Sequence, residues 1–158
     1  MTMKRMTALI LSLMLILVCL ASALAETVAD ETAEAPAALP QQIAAESYDV
    51  FIGEWKMAGI IYGGAFSSME QLMANGLLSD TSDRIFYIRE DKTAVLSYMG
   101  ETIEFSCEMN EANGTLTLLT EGGKMFIALL DDGTISVSLE YDESGMTNIF
   151  AKMEEAAE

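Results

Sequence analysis

The sequence contains no histidine and only two cysteines, Cys19 and Cys107. Without an imidazole, the chain cannot build a Ser-His-Asp or Cys-His catalytic arrangement or a histidine-ligated metal site. Cys19 lies in an N-terminal segment that we expect to be removed, so the mature chain keeps one thiol and no internal disulfide. Cys107 falls on the apolar face of a predicted strand without a basic neighbour in sequence, which predicts a buried, unreactive thiol.

Basic residues are scarce as well. The chain has 8 Lys and Arg against 25 Asp and Glu, a formal net charge of −17. Removal of Lys4 and Arg5 with the leader leaves 6 basic residues and a net charge of −19. Such a surface repels phosphate backbones and anionic lipids, and no cluster of Lys or Arg reverses it locally. We therefore expect no nucleic acid as a partner and, after signal cleavage, no stable insertion into a membrane.

Residues 1–25 have the three parts of a secretory signal peptide. Lys4 and Arg5 precede an apolar run at 8–20, and the small residues at 23–25 follow it. A run of about 13 residues is too short to cross a hydrocarbon core of about 30 Å. We expect cleavage after Ala25 and a secreted, extracellular bacterial protein. Two alternatives are an uncleaved anchor and lipidation of Cys19, which Val18 in front of it disfavours.

Residues 26–47 predict a disordered acidic linker. Ala, Glu, Thr and Gln dominate the segment, and it holds both prolines of the chain. Because it has little apolar surface to bury, ordering it costs conformational entropy without compensation. We expect the folded domain to span 48–154 and a short tail to follow at 155–158.

The segment GEWKMAGIIYGG at 53–64 predicts the first strand of that domain and contains the only tryptophan. Strand periodicity places alternate residues on opposite faces, and both faces carry apolar groups. We expect the Trp55 face to point inward. That face holds Trp55, Met57, Gly59 and Ile61, and the opposite face holds Lys56, Ala58, Ile60 and Tyr62.

A short helix is predicted next. Ser67 and Glu70 have the spacing of a capping box, and Gly76 stands where a left-handed terminal residue is favoured. Met69, Leu72 and Met73 share one face. Because two turns of helix are not stable alone, we expect the helix to lie across the open end of a barrel.

Seven strand-like runs follow from residue 84, separated by turns rich in Gly, Asn and Asp. Such turns supply the positive φ that tight hairpins need, so sequence neighbours should pair in the sheet. The runs are RIFYIR, TAVLSYM, TIEFSCEM, TLTLL, KMFIALL, TISVSLEY and TNIFAKM. Together with the first strand they predict an all-β fold: an eight-stranded antiparallel up-and-down barrel with one short helix between strands 1 and 2.

Two of these runs, at 102–109 and 134–141, alternate cleanly between apolar and polar residues, as a sheet with one dry face requires. The run at 124–130 is apolar on both faces. We expect the linker, the helix or a partner to cover its outer side.

The chain resembles lipocalins and fatty-acid-binding proteins in the Gly-x-Trp signature at Gly53 and Trp55. The Trp strand, short helix, meander and final aromatic-x-Lys strand, with Lys152, resemble most closely the short lipocalin-like domains of secreted bacterial proteins, the calycin-type β-barrels. The resemblance covers 48–153 and implies that Trp55 plugs the closed end, packed by Lys152. The Thr-Asp-Tyr motif and the late Arg of larger lipocalins are absent.

Acidic pairs occur at 131–132 and 142–143, but each lies in a turn signal and predicts a solvated hairpin tip. The acidic segments at 80–83 and 131–133 could hold a weak calcium ion outside the cell, but neither has the spacing of a twelve-residue calcium loop. We expect no metal and no cofactor.

Three functions remain. The first is a binding module that takes a small apolar molecule into a cavity of about 300 Å³. Phe105, Ile127 and Val137 are its candidate lining residues, and the methionines are core filler or pocket lining. The second is an extracellular interaction or structural module that uses its outer surface, such as the strand at 124–130, and takes no small molecule. The third, an enzyme, is not expected because no catalytic constellation is present.

Overall fold

The structure, a computed structural model, describes residues 38–78, 84–98, 100–140 and 145–153. The predicted signal peptide, its cleavage site, the first part of the linker and the predicted tail at 155–158 lie outside the described residues. So do the acidic segments at 80–83 and 142–143.

The described residues form ten strands and one α-helix, and eight of the strands close into a barrel. Sequence neighbours pair from β4 to β10, and β2 pairs with β4 on one edge and β10 on the other. This confirms the predicted eight-stranded antiparallel barrel. The bounds are β1 Gln42–Ile43, β2 Gly53–Tyr62, β3 Ala65–Ser68, α1 Met69–Ala74, β4 Ile85–Ile88, β5 Thr93–Tyr98, β6 Glu101–Asn110, β7 Thr115–Thr120, β8 Gly123–Leu130, β9 Ile135–Leu139 and β10 Thr147–Lys152.

One hydrophobic core fills the barrel. The predicted alternation of β6 is present, because Ile103, Phe105 and Cys107 are buried while the residues between them are exposed. The Phe86 and Phe150 rings meet edge to face with centroids 5.0 Å apart. Such pairs add to the free energy gained from apolar burial alone.

A β-bulge divides β2 into two halves that present different residues inward. Ile149 pairs with Gly59 and Phe150 with Met57, so Ala58 has no partner on β10. The extra residue reverses the faces of all that follow it. Trp55 and Met57 point inward as predicted, but the prediction for the second half is wrong.

Beyond the bulge, Ile60 is buried in place of Ile61. Gly59 lies on the outer face of the barrel, where Ser67 and the ring of Phe66 bury it. The sequence alternation of β2 contained no sign of this reversal.

The helix begins one residue later than predicted. Ser68 is the N-cap: its hydroxyl accepts from the Gln71 amide, and the Gln71 side chain accepts from the Ser68 amide. The pair Ser67 and Glu70 does not form the cap because β3, which the sequence did not predict, continues through Ser68. Leu72 is buried, Met69 is half-buried and Met73 is exposed, so the helix buries a narrower face than predicted.

Residues 38–47, the N-terminal strap, are ordered against the barrel. β1 pairs with Leu129 and Leu130 of β8, and the Ala45 amide donates to the Gly114 carbonyl. The predicted linker therefore does not extend to residue 47. The strap extends the β8 edge beyond the first residue of β7, Thr115, so its backbone gains hydrogen-bond partners that its polar side chains do not reveal.

Candidate functional site

Trp55 closes the barrel at the end where β2 begins. Its indole is 1% exposed and donates from Nε1 to the Phe51 carbonyl at 2.7 Å. Lys152 Nζ lies 5.4 Å from the ring centroid, a cation–π contact from the last strand. Gly53 has φ +136°, and a Cβ there would meet Lys152 Cε at 2.8 Å. Gly53, Trp55 and Lys152 thus form one packed unit, which we call the plug.

The strap and the residues after it seal the same end. Gln41 exchanges hydrogen bonds with Asp131 in the β8–β9 turn. The Tyr48 hydroxyl donates to the Arg89 carbonyl after β4 at 2.8 Å. We call this the plug end, and the opposite end, where β2 finishes and α1 follows, the helix end. Access to the interior from the plug end is blocked.

The predicted ligand-lining residues all lie inside the barrel. Phe105, Ile127 and Val137 are 3%, 0% and 4% exposed. The space described inside the barrel, at its helix end, measures only about 30 Å³, and only Val137 of the three lines it. Ligand pockets usually measure at least about 300 Å³. The structure thus brings the three residues together as core rather than around a cavity.

A charged residue borders that small space. Arg84, directly before β4, is 5% exposed and has two side-chain nitrogens without a hydrogen-bond partner. Its guanidinium carbon lies 4.8 Å from the centroid of the Tyr98 ring. Asn148 of β10 also lines the space, and its Oδ1 has no partner. Neither residue was identified from the sequence as part of a site. Arg84 could have been found, because strand alternation places a residue two positions before the inward-facing Phe86 on the same inward face.

A groove lies on the barrel wall between β6 and β7, near the helix end. β6 pairs with β7 only from Ser106 to Asn110, so the first half of β6 has no partner on that side. The groove has a volume of about 640 Å³ and is lined by Thr102, Ile103, Glu104, Ser106, Leu119, Thr120 and Glu121. It is a gap in the sheet rather than a pocket in the core.

Backbone hydrogen-bonding groups face this gap. The Cys107 amide donates to the Lys92 carbonyl on the β5 side at 2.8 Å. Antiparallel strands direct alternate residues to opposite neighbours, so Phe105 and Ile103 also bond toward β5. The N–H and C=O groups of Thr102 and Glu104 therefore point toward β7, which has already ended.

The acidic turn pair and the cysteine behave as the sequence indicated. The Asp132 carboxylate accepts from the Thr134 amide and hydroxyl, and both Asp131 and Asp132 are exposed. No group of three or more potential metal ligands occurs among the described residues. Burial raises the pKa of the Cys107 thiol, so it stays protonated and unreactive at neutral pH.

None of the helical segments in the described ranges is long and apolar enough to cross a bilayer.

No protein-family model and no curated protein matches this sequence.

Proposed function

We propose that this protein is a secreted, non-catalytic lipocalin-like module that binds an extended basic segment of a partner protein along the free edge of β6. The observation that carries this proposal is that β6, paired with β5 on one side, has no partner strand on the β7 side from Glu101 to Phe105. A strand edge with unpaired N–H and C=O groups is a template for an added strand. Thr102 and Glu104 supply those groups.

The charge of the groove selects the occupant. Glu104 and Glu121 line it, and Glu101 begins β6 at the helix end of the groove. None of the three forms an ion pair with a described cation. An added strand with Lys or Arg at alternate positions places those cations beside the carboxylates. Backbone pairing supplies affinity, and the alternate charges supply specificity.

The same charges disfavour two other occupants. The protein's own linker at 26–37 is acidic and would meet these carboxylates with like charge. A second copy pairing β6 with β6 would bring two sets of Glu101 and Glu104 together. A basic partner avoids both repulsions.

The filled interior favours this function over the binding of a small apolar molecule. A space of about 30 Å³ leaves no room for a ligand of ordinary size without displacing core side chains. A small-molecule function would require the core to open.

Binding can be tested with a labelled peptide of alternating lysine and valine, using the same peptide with glutamate in place of lysine as the comparator. We expect only the lysine peptide to bind. In the free protein the Thr102 and Glu104 amides should exchange rapidly with solvent, whereas the Ile103 and Phe105 amides should be protected. On binding, Thr102 and Glu104 should become protected.

Two pairs of variants locate the site. Thr102→Pro removes an N–H that the barrel does not use, so it should fold normally and lose binding, whereas Thr102→Val should retain both. Glu104→Lys should weaken binding about fivefold, and Glu108→Lys, on the same face of β6 where it pairs with β7, should not. Equal binding of the glutamate peptide, unaltered binding by Thr102→Pro, or a stable dimer through β6 would each contradict the proposal.

A further inference from the structure

Arg84 is a buried cation without an anion among the described residues. Its side chain is 5% exposed, and both Nε and Nη2 lack a hydrogen-bond partner. The Tyr98 ring offers a cation–π contact but accepts no N–H bond in the plane of the guanidinium. A buried charge with no counter-ion and two unpartnered N–H groups is strongly unfavourable.

The two orphaned nitrogens are chemically specific. Nε–H and Nη2–H lie in the guanidinium plane along the same edge of the group and point in nearly parallel directions. This is the fork that receives the two oxygens of a carboxylate in a bidentate contact. A single-atom anion would occupy only part of it.

The neighbouring side chains support the same ligand. Asn148 borders the space with an unpartnered Oδ1, and rotation of its amide by half a turn would present Nδ2 as a third donor. The other lining residues are apolar: Phe86, Leu96, Met125, Val137, Leu139 and Phe150. Apolar walls strengthen the attraction between a guanidinium and an anion.

The size of the space limits the ligand. About 30 Å³ accommodates roughly two water molecules. A carboxylate with a hydrogen or a methyl group attached fits that space, and a longer alkyl chain meets the core.

We propose that Arg84 and Asn148 form a binding site for a short monocarboxylate of formate or acetate size at the helix end of the barrel. The carboxylate oxygens accept from Arg84 Nε and Nη2, and the anion neutralises the buried charge. This site is independent of the β6 edge, which lies on the outer wall.

The site can be tested by thermal unfolding in sodium acetate, with sodium chloride at the same ionic strength as reference. A ligand that binds only the folded state raises Tm, by about 5 °C at a concentration tenfold above its dissociation constant. We expect this rise for acetate and formate, a smaller one for butyrate, and none for octanoate. Saturation-transfer NMR on the acetate methyl group reports binding directly.

Variants separate the site from general salt effects. Arg84→Met should lose the acetate response and Arg84→Lys most of it, because an ammonium lacks the fork. Arg89→Met, at an exposed arginine, should respond as the unmodified protein does. Asn148→Asp supplies an internal carboxylate and should lose the acetate response while remaining folded, which keeps the test decisive if Arg84→Met does not fold.

An equal Tm in acetate and chloride for the unmodified protein would overturn the proposal, as would a response retained in both Arg84→Met and Asn148→Asp. Tm would be equal in acetate and chloride if a carboxylate of the protein's own chain already occupied the site. Tighter binding of octanoate than acetate would overturn the size limit and with it the site as described.

Discussion

At the scale of single residues, Trp55 shows how one side chain closes one end of the barrel. Its indole fills apolar volume, satisfies the buried Phe51 carbonyl and supports the Lys152 ammonium. The apolar body and polar edge of tryptophan meet all three needs at once. Phenylalanine meets only the first of them, and incompletely.

We expect Trp55→Phe to lower the free energy of unfolding by about 2–4 kcal/mol, from a lost hydrogen bond, an orphaned carbonyl and a residual cavity. Urea unfolding measures the change. Tyr87→Phe, on the exposed face of β4, should change stability by less than about 0.5 kcal/mol. A Trp55→Phe variant as stable as the control would show that the plug contributes little.

Cys107 and Tyr48 make stability depend on alkaline pH. Burial raises the pKa of both groups, and Cys107 adds to the rise at Tyr48. The folded protein therefore keeps protons that the unfolded chain loses above a pH of about 8.5. This stabilisation is complete below that pH and is lost as the pH rises toward the folded-state values.

We expect the urea midpoint of the reduced protein to fall as the pH is raised above about 8.5, and to fall less steeply in Cys107→Ala. Tyr87→Phe, at an exposed tyrosine, should leave the slope unchanged. Parallel pH profiles for Cys107→Ala and the unmodified protein would rule out a contribution from the buried thiol.

At the scale of elements, the strands of the meander were predictable from the sequence, but the bulge in β2 and the short strands β1 and β3 were not. Regular alternation and turns rich in Gly and Asp identified β4 to β10 and their order. The bulge at Ala58, the strand β3 and the strap β1 carry no such signal, because tertiary pairing rather than side-chain pattern stabilises them. The helix N-cap is Ser68 rather than the predicted Ser67 for the same reason, because the pairing of β3 with β2 extends through Ser68.

The strap depends on a glycine in the turn it crosses. Gly114 has φ +66°, and a Cβ there would overlap the backbone of Ala44 and Ala45. We expect Gly114→Ala to lower stability by about 2–4 kcal/mol and to release the strap, from backbone strain and this overlap together. Hydrogen exchange at the Ala45 amide, which donates to the Gly114 carbonyl, reports the release.

Gly133 provides the matched control for this substitution. It has φ +82° in the β8–β9 turn, and a Cβ there would meet nothing within 4 Å. Gly133→Ala should cost only the backbone strain, about 1 kcal/mol, and leave the Ala45 amide protected. Equal effects of the two substitutions would mean that the strap does not press on the turn.

At the scale of the whole molecule, a net charge of −17 opposes compaction by self-repulsion. Raising sodium chloride from about 0.01 M to 0.15 M shortens the Debye length from about 30 Å to 8 Å and screens that repulsion. We expect the urea midpoint to rise over this interval and to rise equally in choline chloride. A urea midpoint independent of salt would show that charge repulsion is as strong in the unfolded chain as in the folded protein.

The sequence by itself determined the all-β class, the order of the strands and the inward position of Phe105, Ile127 and Val137. Those features follow from hydrophobic alternation and turn chemistry, which act between residues close in the chain. The contact between Trp55 and Lys152 was predicted from the resemblance to lipocalins rather than from a local pattern. It forms because the last strand, β10, pairs with the first barrel strand, β2.

Only the tertiary structure decided how full the barrel is, which edge remains unpaired and where a charge is buried. Cavity volume depends on how side chains from all eight strands interlock, and the free edge of β6 arises because β7 turns back too early to cover it. The burial of Arg84 likewise requires β4, β5, β9 and β10 to close around it. Each of these features is a relation between residues distant in sequence, which a local pattern does not encode.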